Sequence, residues 1–168
     1  MSNIKAIIFD IDGVLTNGSI TIDSRGDEIK TFNVRDGQLI DFMRSQGFIF
    51  GAISGRDSKS LEFRLKEMNV DFVRLGAKNK YTVLLEFLKE YKLNESEVGY
   101  IGDDVIDAEV LKFVAYSYAP CDACAYVKDL VKIVTNANGG EGVLREVIDG
   151  IINNNQILKS ALKAKYKL

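Results

Sequence analysis

Short apolar runs alternate with longer segments of helical period along most of this chain. Ile4–Phe9, Phe48–Ile53, Asp71–Arg74, Val98–Ile101, Val114–Tyr118 and Val131–Val134 have the length of strands, and the first of them are apolar at nearly every position. Such runs suit parallel strands covered on both faces. Between them, Gly37–Ser45, Lys59–Met68, Lys80–Tyr91, Asp104–Phe113, Ala123–Leu130 and Gly142–Asn153 repeat their apolar positions at helical spacing. The alternation predicts βαβ units and a doubly wound α/β domain with a mostly parallel, Rossmann-like sheet.

One segment breaks the pattern. Gly18–Asp23 and Glu28–Val34 carry alternating or β-branched residues around the turn chemistry of Ser24, Arg25, Gly26 and Asp27. This predicts a protruding β-hairpin, residues 18–34, directly after the first strand. The domain is expected over residues 1–155. Residues 156–168 carry Lys159, Lys163, Lys165 and Lys167 among Leu and Ala, which suits either a short basic helix or a disordered end. Tyr116 and Tyr118 alternate and are expected to pack on one sheet face.

Composition narrows the choices. At 168 residues the chain can bury one sizeable core, and 46% hydrophobic with 27% charged residues is ordinary for a soluble protein. A net charge of −2 leaves no basic footprint for nucleic acid. The apolar runs are too short to span a bilayer, and the N-terminus enters a strand with no signal-peptide pattern. A cytoplasmic protein with no membrane partner is expected. Histidine is absent, which removes Ser-His and Cys-His triads, histidine phosphatases and most catalytic zinc sites. Acid–base work then falls to Asp, Glu, Lys, Tyr or Cys. Cys121 and Cys124 have no second pair to complete a zinc site; a redox pair and two small residues at a helix start both remain open.

In open α/β sheets, ligands bind beyond the carboxyl ends of the strands. Four polar sets stand at such ends or open a helix: Asp10 and Asp12 with Gly13 and Thr16; Ser54, Gly55 and Arg56; Lys80; and Gly102, Asp103 and Asp104, with Asp107 a turn further on. Each suits phosphoryl transfer. A carboxylate attacking a phosphate dianion meets repulsion that a divalent cation cancels, and the hard oxygens of Asp10 and Asp103 favour Mg²⁺. Asp10 can then act as nucleophile, and Asp12, two residues on, as the acid and base. Gly13 lets backbone approach the phosphate, Ser54 offers a hydroxyl and Lys80 a fixed positive charge. Asp104 and Asp107 are candidates for orienting the metal ligands.

In this order the four sets resemble the motifs of the haloacid dehalogenase-like (HAD-like) phosphatase superfamily. The resemblance implies a phospho-aspartate on Asp10, and Mg²⁺ held by Asp10, Asp103 and the backbone carbonyl of Asp12. A wider set is similar to the 3-deoxy-D-manno-octulosonate 8-phosphate (KDO 8-phosphate) phosphatase family: Thr16-Asn17-Gly18, Phe32 to Gly37, Ser54-Gly55-Arg56, Asn79-Lys80, Gly102 to Asp107, and Gly139 to Glu146. That likeness runs from Ile4 to about Asp149. It implies a sugar-acid phosphate as substrate, bound with the help of Arg35, Arg56 and Asn79. It also implies a place in lipopolysaccharide synthesis and a capless homotetramer assembled through the hairpins. Spacing supports the missing cap: the gap from Asp12 to Ser54 is used by the hairpin and one helix, and that from Ser54 to Lys80 by a helix and a short strand.

Some positions depart from the family pattern. Ser54 stands where close relatives have threonine, and Glu141 where many have arginine. Arg56 stands where relatives acting on nine-carbon acids carry glutamate, which favours the eight-carbon substrate. The same residues also suit a phosphatase for another keto-deoxy sugar acid, such as an acylneuraminate 9-phosphate, a non-catalytic assembly module, or a phospho-aspartate receiver.

Overall fold

The structure, a computed structural model, describes residues 3–168; residues 1 and 2, the first of the expected domain, lie outside the described residues. Six strands form one sheet: β1 (Ala6–Phe9), β4 (Ile49–Ile53), β5 (Phe72–Arg74), β6 (Val98–Ile101), β7 (Tyr116–Ala119) and β8 (Ile133–Val134). The spatial order is β5-β4-β1-β6-β7-β8, and every neighbouring pair is parallel. β2 (Thr21–Ile22) and β3 (Glu28–Ile29) pair antiparallel as a separate hairpin.

Alternation along the buried strands splits the core into two layers. Ile7 and Phe9 of β1 join α2 (Ile40–Ser45), α3 (Lys59–Glu67) and α7 (Val143–Asn153) on one face. Ala6 and Ile8 join α4 (Lys80–Tyr91), α5 (Ala108–Phe113) and α6 (Ala125–Lys128) on the other. Residues 156–168 are not a disordered end: α8 (Gln156–Tyr166) is capped by Asn155 and sends Leu158 into the first layer.

Several boundaries move from those expected. The strand expected from Val114 begins at Tyr116, because the Val114 amide donates to the Val110 carbonyl and still belongs to the turn of α5. That expected from Val131 shrinks to Ile133–Val134, because Val131 closes a helical bond to Val127. The helix expected over Gly37–Ser45 starts at Arg35 and breaks at Leu39, giving α1 (Arg35–Gln38) before α2. The one expected over Asp104–Phe113 opens as a 3₁₀ turn, Val105–Asp107. The hairpin exists, but only two residues of each arm pair.

The order of strands matters for function. The sheet grows one way from β1 through β4 and β5, and the other way through β6, β7 and β8. β1 therefore lies at the topological switch point, where such sheets open a crevice beyond the strand ends. Phe9 stands opposite both Ala52 and Ile101, so the segments after β1, β4 and β6 emerge side by side.

Candidate active site

Asp10 is the first residue beyond β1, held by its amide to the Ile101 carbonyl at 2.9 Å. The chain then leaves the sheet. Amides of Val14, Leu15 and Thr16 all donate to the Ile11 carbonyl, so Asp12 sits on a tight turn and not on a continuing strand. Asp10 and Asp12 consequently meet different partners.

Asp10 is buried, and its Oδ2 lies 2.7 Å from Lys80 Nζ. Lys80 opens α4, where Asn79 caps the helix by accepting from the Thr82 amide. The Lys80 ammonium also donates to Asp107 Oδ1 at 2.8 Å, and the Tyr100 hydroxyl donates to that same oxygen at 2.7 Å. Asp107 Oδ2 receives the amides of Asp103 and Asp104. Asp107 thus holds the lysine and the loop of Asp103 together. Gly102 makes this possible, since a Cβ there would lie 2.6 Å from the Asp107 side chain.

Carboxylate oxygens of Asp10, Asp103 and Asp107 can all lie within 4.8 Å of one another. Three carboxylates against the one Lys80 cation leave the cluster two charges short of neutral. Burial pushes the Asp103 carboxyl up to about 7, with Asp10 and Asp107 adding to the rise. Burial likewise raises Asp10, against the pull of Lys80. Burial alone would lower Lys80, but Asp10 and Asp107 outweigh it and keep the ammonium charged. A deficit of two charges over hard oxygen donors fits a divalent cation such as Mg²⁺. Asp107 already has donors on both oxygens, so Asp10 and Asp103 are the free ligands of the three.

Asp10, Asp12, Ser54, Gly55, Arg56, Asp103 and Asp104 line one open cleft of about 240 Å³. Ser54 is buried, and its Oγ accepts the Arg56 amide at 3.1 Å, which leaves its own proton free to donate. Gly13, with φ +86, packs against Asp103. A larger apolar cavity of about 430 Å³, between β7, β8 and α7, contains none of these residues.

Three expected residues take other places. Asp104 is exposed on the rim and caps the 3₁₀ turn through the Val105 amide, so it does not face the acidic cluster. Asn79 spends its side-chain oxygen on the cap of α4 and lies outside the cleft. Arg35 is exposed on α1 and makes no ion pair among the described residues.

Sequence reasoning missed two groups. Tyr100, inside an apolar strand, anchors Asp107. Lys30 and Glu28, from the hairpin, reach the site. Lys30 Nζ lies 2.5 Å from Asp12 Oδ1 and 3.4 Å from Glu28 Oε2, while Glu28 Oε1 accepts from Arg56 at 2.6 Å. Their spacing of two puts Glu28 and Lys30 on one face of an extended arm. Nothing in the pattern told which way that arm folds.

Comparison with known proteins gives a consistent picture. The profile of the haloacid dehalogenase-like hydrolases matches residues 63–147. The chain is 36% identical over 152 residues to the 3-deoxy-D-manno-octulosonate 8-phosphate phosphatase KdsC of Haemophilus influenzae, covering 90% of this chain and 84% of that one. Its fold is similar to the crystal structure of the Yersinia pestis phosphatase of that name, with a TM-score of 0.91, 35% identity, and 94% and 85% of the two chains covered. It is also similar to the Moraxella catarrhalis phosphatase in complex with magnesium, phosphate and KDO, with a TM-score of 0.92, 28% identity, and 97% and 94% covered.

Proposed function

The chain belongs to the haloacid dehalogenase-like hydrolases, and from that premise we propose that it is a magnesium-dependent phosphatase that releases phosphate from 3-deoxy-D-manno-octulosonate 8-phosphate. The observation that carries this reading is the buried Asp10–Lys80 pair beside Asp103, in an acidic cluster that lacks two positive charges and borders the cleft. Relatives sharing about a third of its residues carry that activity in their names, and one was solved with magnesium, phosphate and the sugar acid together.

Asp10, Asp103 and the Asp12 backbone carbonyl would hold Mg²⁺. When bound, the ion offsets repulsion between the attacking carboxylate and the phosphate dianion. The Asp10 carboxylate attacks phosphorus, and the bond from phosphorus to the sugar oxygen breaks. Asp12 gives its proton to the departing alkoxide, then takes a proton from the water that opens the phospho-aspartate. Lys80 keeps Asp10 ionised and faces the phosphoryl oxygens, and the Ser54 hydroxyl donates to one of them. Gly13 and Gly55 leave room for the phosphate, and Arg56, on the open side of the cleft, meets the sugar acid. Asn79 and Arg35 are assigned to substrate only by family likeness.

The same reading makes the chain a homotetramer joined through its hairpins, working in the cytoplasm on the route to lipopolysaccharide. Exposed Ile20, Ile22, Ile29 and Val34 on the hairpin and its exit support the assembly. No described helix is long and apolar enough to cross a membrane.

The test is phosphate release from the eight-carbon sugar-acid phosphate, with and without Mg²⁺, by the native chain and Asp10→Asn. Rapid release that needs the ion and vanishes in Asp10→Asn is expected. Release from a generic aryl phosphate alone would keep the chemistry and discard the substrate. Faster turnover of a nine-carbon sugar-acid phosphate would reassign the role of Arg56.

A further inference from the structure

The two oxygens of Asp12 keep different company. Oδ1 accepts from the Lys30 ammonium at 2.5 Å and from the Thr16 hydroxyl at 3.3 Å. Oδ2 is buried with no hydrogen-bond donor among the described residues, and Arg56 Nε stands 3.8 Å from it.

Lys30 lies just past β3, on a hairpin that is otherwise largely in solvent, yet its side chain is only 2% exposed. Neighbouring Ile29 is 54% exposed and points the other way. Ordering a lysine costs rotamer entropy, which an ordinary surface ion pair does not repay. Here the ammonium is clamped from two sides, by Asp12 and by Glu28. Glu28 in turn holds Arg56, so two carboxylates and two cations form a closed, neutral set beside the cleft.

We propose that Lys30 is a positioning residue for proton transfer at Asp12: by holding Oδ1 it leaves Oδ2 as the atom that exchanges the proton. The inference rests on the phosphatase reading above. When the bond from phosphorus to the leaving oxygen breaks, its electron pair stays on that oxygen, which takes the proton from Asp12 Oδ2. The new carboxylate keeps Oδ1 against Lys30. In the second half, water forms its bond to phosphorus as the bond to Asp10 breaks, and the water proton returns to Oδ2. Lys30 touches no reacting atom. It sets which oxygen is left to face them once the Arg56 side chain, 3.8 Å from the buried Oδ2, makes way.

Leaving groups report on this directly. A good leaving group departs without a proton, whereas a poor one needs it. We compare kcat/KM for phenyl and p-nitrophenyl phosphate, with saturating Mg²⁺, in the native chain, Lys30→Met and Lys30→Arg. Thermal melts establish that each variant is folded. Lys30→Met is expected to lose about 100-fold on phenyl phosphate, the lower end of what general acid catalysis contributes, and under about tenfold on p-nitrophenyl phosphate. Lys30→Arg keeps the cation and is expected to restore the native dependence on leaving group. If Lys30→Met does not fold, Lys30→Gln is expected to give the same split. Equal losses on both substrates, or none, would overturn the inference and mark Lys30 as structural only. If the native chain releases phosphate neither from the aryl esters nor from the eight-carbon sugar-acid phosphate, the phosphatase reading fails and this inference fails with it.

Discussion

A Cβ atom on Gly13 would lie 2.0 Å from Oδ2 of Asp103. The backbone there also has φ +86, a conformation that glycine enters freely and other residues avoid at a cost of roughly 1–2 kcal/mol. The turn that carries Asp12 and the carboxylate that would ligate magnesium thus occupy one space. Gly13→Ala is expected to push the Asp103 carboxylate out of the cluster and lower activity by about 100-fold or more, by analogy with ångström-scale misplacement of reacting groups. Magnesium affinity should fall in parallel, measured by calorimetric titration. Full activity in Gly13→Ala would show that the loop can shift without consequence.

Tyr100 and Asp107 give a second prediction. The Tyr100 hydroxyl is fully buried, with burial and then Asp107 raising it far above an ordinary phenol, so it stays a donor at any working pH. Tyr100→Phe removes one donor from a charged, buried oxygen, at a cost of about 1.5–3 kcal/mol. A fall in Tm of roughly 3–12 °C is expected for a chain of this size. Lys80 keeps its bonds to Asp10 and Asp107, so kcat should change far less than in Asp10→Asn.

Asp36 governs a pH effect away from the cluster. Its carboxyl is buried against α7 and accepts the Arg145 amide at 3.0 Å, while its Oδ2 has no donor among the described residues. Burial raises it from 3.8 to about 6, against the pull of the Arg145 amide and Arg64. The folded state therefore binds its proton more tightly than the unfolded chain. That contribution is fully present below about pH 4 and is lost as pH rises through about 6, on the order of 3 kcal/mol. Asp36→Asn mimics the protonated form. Urea denaturation across pH 4 to 7 should show the variant gaining on the native chain up to about pH 6 and holding a constant lead above it. A constant difference across the whole range would refute this.

The hairpin supplies a fourth. Ile22 is 61% exposed and lies in the paired part of the hairpin, opposite Glu28. Ile22→Glu is expected to dissociate the proposed tetramer while leaving the melting behaviour of the monomer core nearly intact. Light scattering on size-separated samples reads the mass. An unchanged mass would move the interface away from the hairpin.

The alternation of apolar runs and helical segments was enough to call for the parallel sheet, because strands buried on both faces cannot hide their composition. Asp10, Ser54, Lys80 and Asp103 were legible for a related reason. Each stands at a strand end or a helix start, where the chain must leave the core and polar residues are otherwise unexplained. The end of the chain was less legible: α8 has one buried anchor, Leu158, among exposed lysines, and its helical pattern is weak until α7 is there to receive it.

Partnership was not legible at all. Sequence alone set Asp12 two residues after Asp10, but the turn onto the Ile11 carbonyl took it off the line of the strand and gave Asp10 to Lys80 and Asp12 to Lys30. It offered Asp104 and Asp107 as equivalent carboxylates, and folding buried one and left the other capping a turn in solvent. The reason is physical. Periodicity records which side of an element faces the core, and so determines layers and strand ends. Which charge meets which depends on distances of a few ångströms between segments far apart in the chain, and only the packed structure sets those.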